Sequence, residues 1–276
     1  MIKKMLQNKI DDETPITMVT AYDFPSSKVC ESAGADLILV GDSVGMVMLG
    51  YSSTIKVTVD DMIHHGKAVR RGAPNTHTIV DMPFMSFNIS VEDTLRDAKR
   101  MFQEIEPDAL KIEGGQELVP TVTKLTQAGI PVVGHIGLTP QTVNVLGGYR
   151  VQGRSEAEAK QLIEDAKALE DAGAIAIVLE CVPAPLATKL TEELAIPTIG
   201  IGAGNQCDGQ VLVYHDLLQY GVSRLPKFVQ AYANLDEVAV EAVSQYVLDV
   251  KEKNFPTDDH AYKMNDDVLK GLYGGS

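Results

Sequence analysis

Seven residues with chemistry to offer recur in one kind of place in this sequence, the carboxyl-terminal end of an apolar run. Asp42 and Ser43 close Leu-Ile-Leu-Val-Gly-Asp-Ser (37 to 43), and Asp81 lies in Ile-Val-Asp-Met-Pro-Phe (79 to 84). Lys111 and Glu113 belong to Ala-Leu-Lys-Ile-Glu-Gly-Gly (109 to 115), His135 to Val-Val-Gly-His-Ile-Gly (132 to 137), and Glu180 to Ile-Val-Leu-Glu-Cys-Val (177 to 182). Four acids facing one lysine leave three negative charges uncompensated if all are ionised (4 − 1 = 3). A partly buried ion without a partner costs several kcal/mol, so either some carboxyls keep their protons or a cation sits among them. Oxygen donors, with no cysteine cluster and no HExxH histidine pair, favour Mg²⁺ over Zn²⁺. Asp42 is the first ligand to expect.

Taken singly, each residue has an ordinary explanation. An acid after a strand is commonly a cap or turn residue, Lys111 with Glu113 can be a rim ion pair, and a lone histidine is commonly a satisfied core residue. The joint pattern argues for function, because independent accidents would not line one rim of one sheet. Strand alternation puts Lys111 and Glu113 on one face with Ile112 opposite. By the same rule Ile38, Val40 and Asp42 share a face while Leu39, Gly41 and Ser43 share the other.

The elements that must position these residues are legible from their spacing. Eight apolar segments end in Gly or a polar residue: 16 to 22, 37 to 43, 77 to 84, 109 to 115, 131 to 137, 175 to 182, 197 to 202 and 210 to 216. Continuous apolar runs suit strands covered on both faces, as in a parallel sheet. Between them, Val91, Leu95, Ala98, Phe102 and Ile105 recur at helical spacing behind Ser90. Ser155 and Glu158 form a capping box ahead of Leu162, Ile163, Ala166 and Leu169. Ala33-Gly34, Ala128-Gly129 and Ala172-Gly173 each stop a helix just before a strand, the joint of a repeated βα unit. Eight such units predict an α/β fold, a single-domain (β/α)8 TIM barrel, with a doubly wound open sheet as the alternative. Residues 203 to 209 are too short for a full crossover helix. The barrel is expected over 1–256, with an N-terminal extension and a C-terminal helix. Residues 257–276 form a polar tail, expected to be mobile or to dock on a neighbour.

Composition narrows the function classes. The 276 residues are 45% hydrophobic, enough for a large core, and carry a formal net charge of −14. That balance opposes nucleic-acid and anionic-membrane partners, which need a basic patch. The N-terminus is too polar for a signal peptide and no apolar run reaches membrane-spanning length, so the chain is expected to be cytoplasmic. Cys30, Cys181 and Cys207 are odd in number and widely spaced, and are read as reduced and structural. Gly200-Ile201-Gly202-Ala203-Gly204-Asn205 fits part of GxGxxG, yet the partner features of a dinucleotide site are missing. These glycines suit close backbone approach to a ligand or a tight loop.

Long blocks in one order resemble the ketopantoate hydroxymethyltransferase family from about Thr17 to Pro256. They are TAYD (20 to 23), LVGDSVGM (39 to 46), AVRRGAP (68 to 74), DMPFMS (81 to 86), KIEGG (111 to 115), GHIGLTPQ (134 to 141), GGYRVQGR (147 to 154), LECVP (179 to 183) and IPTIGIGAGN (196 to 205). The resemblance implies a (β/α)8 barrel assembled as a homo-oligomer, a decamer in the family. It implies Mg²⁺ as cofactor and 5,10-methylenetetrahydrofolate as one-carbon donor to 3-methyl-2-oxobutanoate, giving 2-dehydropantoate through a Mg²⁺-stabilised enolate. By the same resemblance Asp42 and Asp81 bind metal and keto acid, and Glu113 lies in the metal shell. Ser43 and Lys111 hold substrate and Glu180 is the proton acceptor. His135 either orients a carboxylate or binds substrate. Arg150 or Arg154 is placed to meet the glutamate tail of the folate, although salt bridges in an ordinary loop explain them equally well. Two other readings share the pattern: a Mg²⁺-dependent C–C lyase or mutase of the phosphoenolpyruvate mutase and isocitrate lyase kind, and a catalytically silent barrel acting as an oligomeric scaffold.

Overall fold

A computed structural model describes residues 2–222 and 224–274. Its centre is a closed barrel of eight parallel strands in sequence order. They are β1 (Ile16–Thr20), β2 (Leu37–Val40), β3 (His77–Asp81), β4 (Ala109–Glu113), β5 (Val132–Gly137), β6 (Ala176–Glu180), β7 (Thr198–Ile201) and β8 (Gly209–Leu212). The ring closes where Met18 of β1 pairs with Val211 of β8 on one side and Leu37 of β2 on the other. Closure excludes the open sheet.

The helices, in order, are α1 (Ile2–Asp11), α2 (Phe24–Ser32), α3 (Val44–Val47), α4 (Val59–Gly72), α5 (Val91–Ile105), α6 (Val119–Gln127), α7 (Val143–Leu146), α8 (Glu156–Asp171), α9 (Ala184–Glu193), α10 (Tyr214–Leu218), α11 (Leu235–Glu252) and α12 (Asp266–Leu272). Local chemistry sets their starts. Ser90 accepts from the Asp93 N–H at the head of α5. Ser155 and Glu158 make the reciprocal capping box of α8. The three Ala-Gly joints fall at helix ends as expected, each glycine taking positive φ (+80° at Gly34, +89° at Gly129, +98° at Gly173).

Strand alternation divides the core in two. Met18, Leu37, Leu39, Ile79, Val133, Val178, Ile199 and Val211 fill the barrel interior. Ile38, Val40, Val80, Leu110, Ile112 and Leu179 face outward against Met62, Met101, Leu125 and Leu169 of the helices. The N-terminal extension is α1, whose Ile2 and Leu6, one turn apart, join the interior cluster. No helix lies between β7 and β8, as the short segment there predicted. The glycines there build a tight loop, with Gly202 (φ +66°) against the Phe228 ring and Gly204 (φ +86°) against Ala184.

Three acids one residue ahead of a strand tie it to an earlier one. Asp36 Oδ2 accepts from the N–H and hydroxyl of Thr17, Asp108 Oδ2 from the Thr78 N–H, and Asp208 Oδ2 from the N–H and hydroxyl of Thr198. At the far end of the chain the eighth unit is thin, with only the five-residue α10 directly after β8. Helix α11 buries none of its residues, although Val238, Val243, Tyr246, Val247 and Val250 lie on it. In the tail, α12 follows a single turn at Asp258–His260, and Gly275 and Ser276 lie outside the described residues. No described helix is long and apolar enough to cross a membrane. The described cysteines are all free.

Candidate active site

At the carboxyl ends of the strands the barrel interior changes from aliphatic to ionic. On β4, Ala109 lies in the apolar interior, and two and four residues on Lys111 and Glu113 rise from the same face. Asp81 follows Ile79 on β3, His135 follows Val133 on β5, and Glu180 follows Val178 on β6 by the same rule. Asp42 gets there differently. Alternation would send it outward with Ile38 and Val40, but β2 stops at Val40 and the chain turns into α3 at Val44. The turn brings Asp42 and Ser43 to the same mouth, which corrects the expectation that they lie on opposite faces. Gly41 holds the inward position, and a Cβ there would stand 2.9 Å from Ser43 Oγ and 3.6 Å from Asp81 Oδ2. The acids converge because that position carries no side chain.

The contacts join six of the seven predicted residues, Ser43 bonding Tyr22 instead. Lys111 Nζ lies 3.0 Å from Asp81 Oδ1 and 3.9 Å from Glu113 Oε1, and 3.0 Å from His135 Nδ1. His135 stands between two carboxylates, with Nδ1 3.2 Å from Glu113 Oε1 and Nε2 3.2 Å from Glu180 Oε2. Asp81 Oδ2 accepts from the Asp42 backbone N–H at 3.1 Å. Asp42, Asp81, Lys111, Glu113 and His135 are all buried, and Glu180 and Ser43 are half-buried toward the opening.

Sequence reasoning missed two residues. Tyr22, fully buried, shares a 2.8 Å hydrogen bond with Ser43 Oγ. Gln141 donates from Nε2 to Asp42 Oδ2 at 2.8 Å and to the Met82 carbonyl at 3.0 Å. Both stand inside blocks that carry the family resemblance, TAYD and GHIGLTPQ, and that was the available signal. Arg150 and Arg154 are exposed, and neither guanidinium makes an ion pair among the described residues.

Electrostatics follow from burial and neighbours. Burial, reinforced by Glu113 and Asp81, holds the Asp42 carboxyl well above the usual carboxylate range. It raises Asp81 too, against the opposing pull of Lys111. Glu113 moves the other way: His135 and Lys111 outweigh burial and hold it low. Burial and Lys111 both press against a charged His135, yet Glu113 and Glu180 outweigh them and lift it to about 9. For Lys111 burial is likewise overcome, by Asp81, Glu113 and Asp42, and the ammonium is held above its ordinary value.

Does this site suit Mg²⁺? Four acidic side chains share the mouth with two basic ones, Lys111 and His135, so acids outnumber bases where a cation would sit. Gln141 Oε1 is buried with no hydrogen-bond partner among the described residues, so the mouth has a polar atom prepared for something other than protein. Among the described residues no group of three or more His, Cys, Asp or Glu is arranged to hold a metal ion by itself. Mg²⁺ is commonly bound through one or two carboxylates, with water and substrate oxygens completing its shell, so the donors fit.

Comparison with known proteins gives the setting. Solved structures of similar shape include phosphonopyruvate hydrolase in complex with oxalate and Mg²⁺ (TM-score 0.61, 12% identity, covering 99% of this chain and 94% of that one). Another is 2,3-dimethylmalate lyase, a member of the PEP mutase/isocitrate lyase superfamily (TM-score 0.57, 17% identity, 99% and 94%). At such identities they show the shared barrel alone. Sequence relatives are far nearer. The 3-methyl-2-oxobutanoate hydroxymethyltransferase of Geobacillus sp. (strain WCH70) is 58% identical over 264 residues, covering 96% of this chain and 95% of the relative. That of Geobacillus kaustophilus (strain HTA426) is 60% identical over 261 residues, covering 95% and 94%. The sequence profile of ketopantoate hydroxymethyltransferase matches residues 1–258. With a closed barrel, an acidic mouth and near full-length identity of this order, the chain belongs to the ketopantoate hydroxymethyltransferase family.

Proposed function

We propose that this enzyme transfers a hydroxymethyl group from 5,10-methylenetetrahydrofolate to 3-methyl-2-oxobutanoate, giving 2-dehydropantoate in pantothenate biosynthesis. The observation that carries the reading is the His135 bridge. It holds Glu180 at the open side of the mouth, while Asp42 lies in the turn after β2 and Asp81 at the end of β3, across the barrel. A base and a metal-binding pair thus stand on different sides of one mouth, as deprotonation of a metal-held keto acid requires.

Asp42 and Asp81, with Glu113 behind them, would hold Mg²⁺, whose Lewis acidity makes a hydrogen next to a chelated ketone more acidic. Glu180 takes the C3 proton of the keto acid, being the least buried acid of the cluster and the one next to the opening. Lys111 offsets the substrate carboxylate, and Ser43, held by Tyr22, fixes its register. His135 keeps Glu180 aimed inward. In the net reaction C3 gains one bond to the methylene carbon, that carbon loses both its bonds to folate nitrogen, and water supplies the hydroxyl oxygen, with the C3 proton and one hydrogen of the water ending on the two nitrogens of tetrahydrofolate. Arg150 and Arg154, exposed and without an ion pair among the described residues, are available to the anionic tail of the folate. The uncovered apolar side chains of α11 support assembly as a homo-oligomer.

Incubation with 5,10-methylenetetrahydrofolate, 3-methyl-2-oxobutanoate and Mg²⁺ tests the proposal. Dehydropantoate should form, and omission of either the folate or the metal should stop it. Cleavage of a keto or hydroxy diacid without a one-carbon donor would favour a lyase instead.

A further inference from the structure

Gln141 stands at the centre of the mouth, only 3% exposed, on a turn (Pro140–Thr142) after β5. Its contacts reach three strand ends. Besides the bonds to Asp42 after β2 and the Met82 carbonyl after β3, its backbone N–H donates to Glu113 Oε2 of β4 at 3.1 Å. An amide nitrogen has two hydrogens, and both are used. The Met82 carbonyl can only accept, so turning the amide round would set oxygen against oxygen there.

The orientation is therefore fixed, and Oε1 is left buried with no partner. A buried acceptor without a donor forfeits the hydrogen bonds it made to water in the unfolded chain. The described protein supplies no donor, and a keto acid has none, since its ketone and carboxylate only accept. Oε1 belongs to the same amide whose nitrogen touches Asp42, so it lies beside the carboxylate proposed to meet the metal. Mg²⁺ sheds its waters reluctantly, and a water kept in its shell has hydrogens to donate.

On the reading that Asp42 and Asp81 hold Mg²⁺, we infer that Gln141 is a positioning residue of the metal centre. Its NH₂ fixes the Asp42 carboxylate against the end of β3, and its carbonyl oxygen accepts from a water retained by the cation.

Mn²⁺, titrated alone against the whole chain and followed by the loss of its free electron-spin signal, tests this without turnover. The unaltered chain should bind Mn²⁺ saturably. Gln141→Met fills the same space without hydrogen bonds and should bind about 10-fold or more weakly, the range for lost outer-shell partners. Gln141→Asn, too short to span both acceptors, should also weaken binding. A merely structural role would lower thermal stability while leaving Mn²⁺ affinity alone, and unchanged affinity in either folded variant overturns the inference. Absence of saturable binding in the unaltered chain overturns the metal reading beneath it. Should neither variant fold, a Mn²⁺-soaked crystal of the unaltered chain decides: a water between the metal and Gln141 Oε1 supports the role, and an empty Oε1 ends it.

Discussion

Replacing Glu180 with Gln keeps its shape and its reach to His135 but removes its capacity to take a proton. Exchange of the C3 hydrogen of 3-methyl-2-oxobutanoate for deuterium should therefore fall by at least about 100-fold, the range for a general base, with keto-acid binding little changed. Persistent exchange would take Glu180 out of that role. Tyr22 acts at one remove. Tyr22→Phe deletes only the 2.8 Å bond to Ser43 and leaves a buried ring in place. A hydrogen bond is worth roughly 1 kcal/mol net, so KM for the keto acid should rise about 5-fold with kcat nearly unchanged. A fall in kcat with KM constant would place Tyr22 in the chemistry instead. The acids, the lysine and the histidine were legible beforehand because charge at the end of an apolar strand is costly and so conspicuous. Tyr22 and Gln141 were not, because a phenol or an amide in a sequence has no visible cost. Their meaning comes from partners 21 and 99 positions away, which only folding brings near.

Strands carry the site, and what holds their feet holds its geometry. Asp36 illustrates the device, since it takes two hydrogen bonds from Thr17 and an ion pair from Lys9 of α1 at 2.7 Å. Burial pushes its carboxyl up, but Lys9 and Thr17 outweigh that and hold it below its ordinary value. A group with a lowered folded pKa contributes stability above its unfolded value and loses it as pH falls through the folded one. Asp36→Asn should therefore lower the melting temperature by several degrees at pH 7, and the gap to the unaltered chain should narrow below about pH 4. Equal melting temperatures at pH 7 would show that the tie carries little. All eight strands could be placed from their apolar runs, and the missing crossover before β8 from its length. The exception is instructive. Period-two alternation sends Asp42 outward, and it fails because the strand ends at Val40, two residues before the acid. Where a strand stops depends on its neighbours, and the segment read from the sequence runs on past Gly41 to Ser43.

Across the whole molecule, one element is out of keeping with its surroundings. Helix α11 spans 18 residues, buries none of them, and exposes Val238, Val243, Tyr246, Val247 and Val250. A helix with that much apolar surface in water, beside a barrel whose eighth unit has only the short α10, is stable when another surface covers it. A second copy of the chain fits the homo-oligomer expected from the family resemblance. Light scattering should then give a mass of at least two chains. Val243→Asp with Val247→Asp, one turn apart on one face, should shift the mass toward the single chain. Because the seven site residues lie on β2 to β6 and the loops after them, Mn²⁺ binding to the separated chain should remain close to that of the assembly. A single chain in solution before any substitution would reject the assembly. A variant that separates and also loses Mn²⁺ would mean that the acidic mouth depends on contacts between copies, and the site would have to be rebuilt to include them.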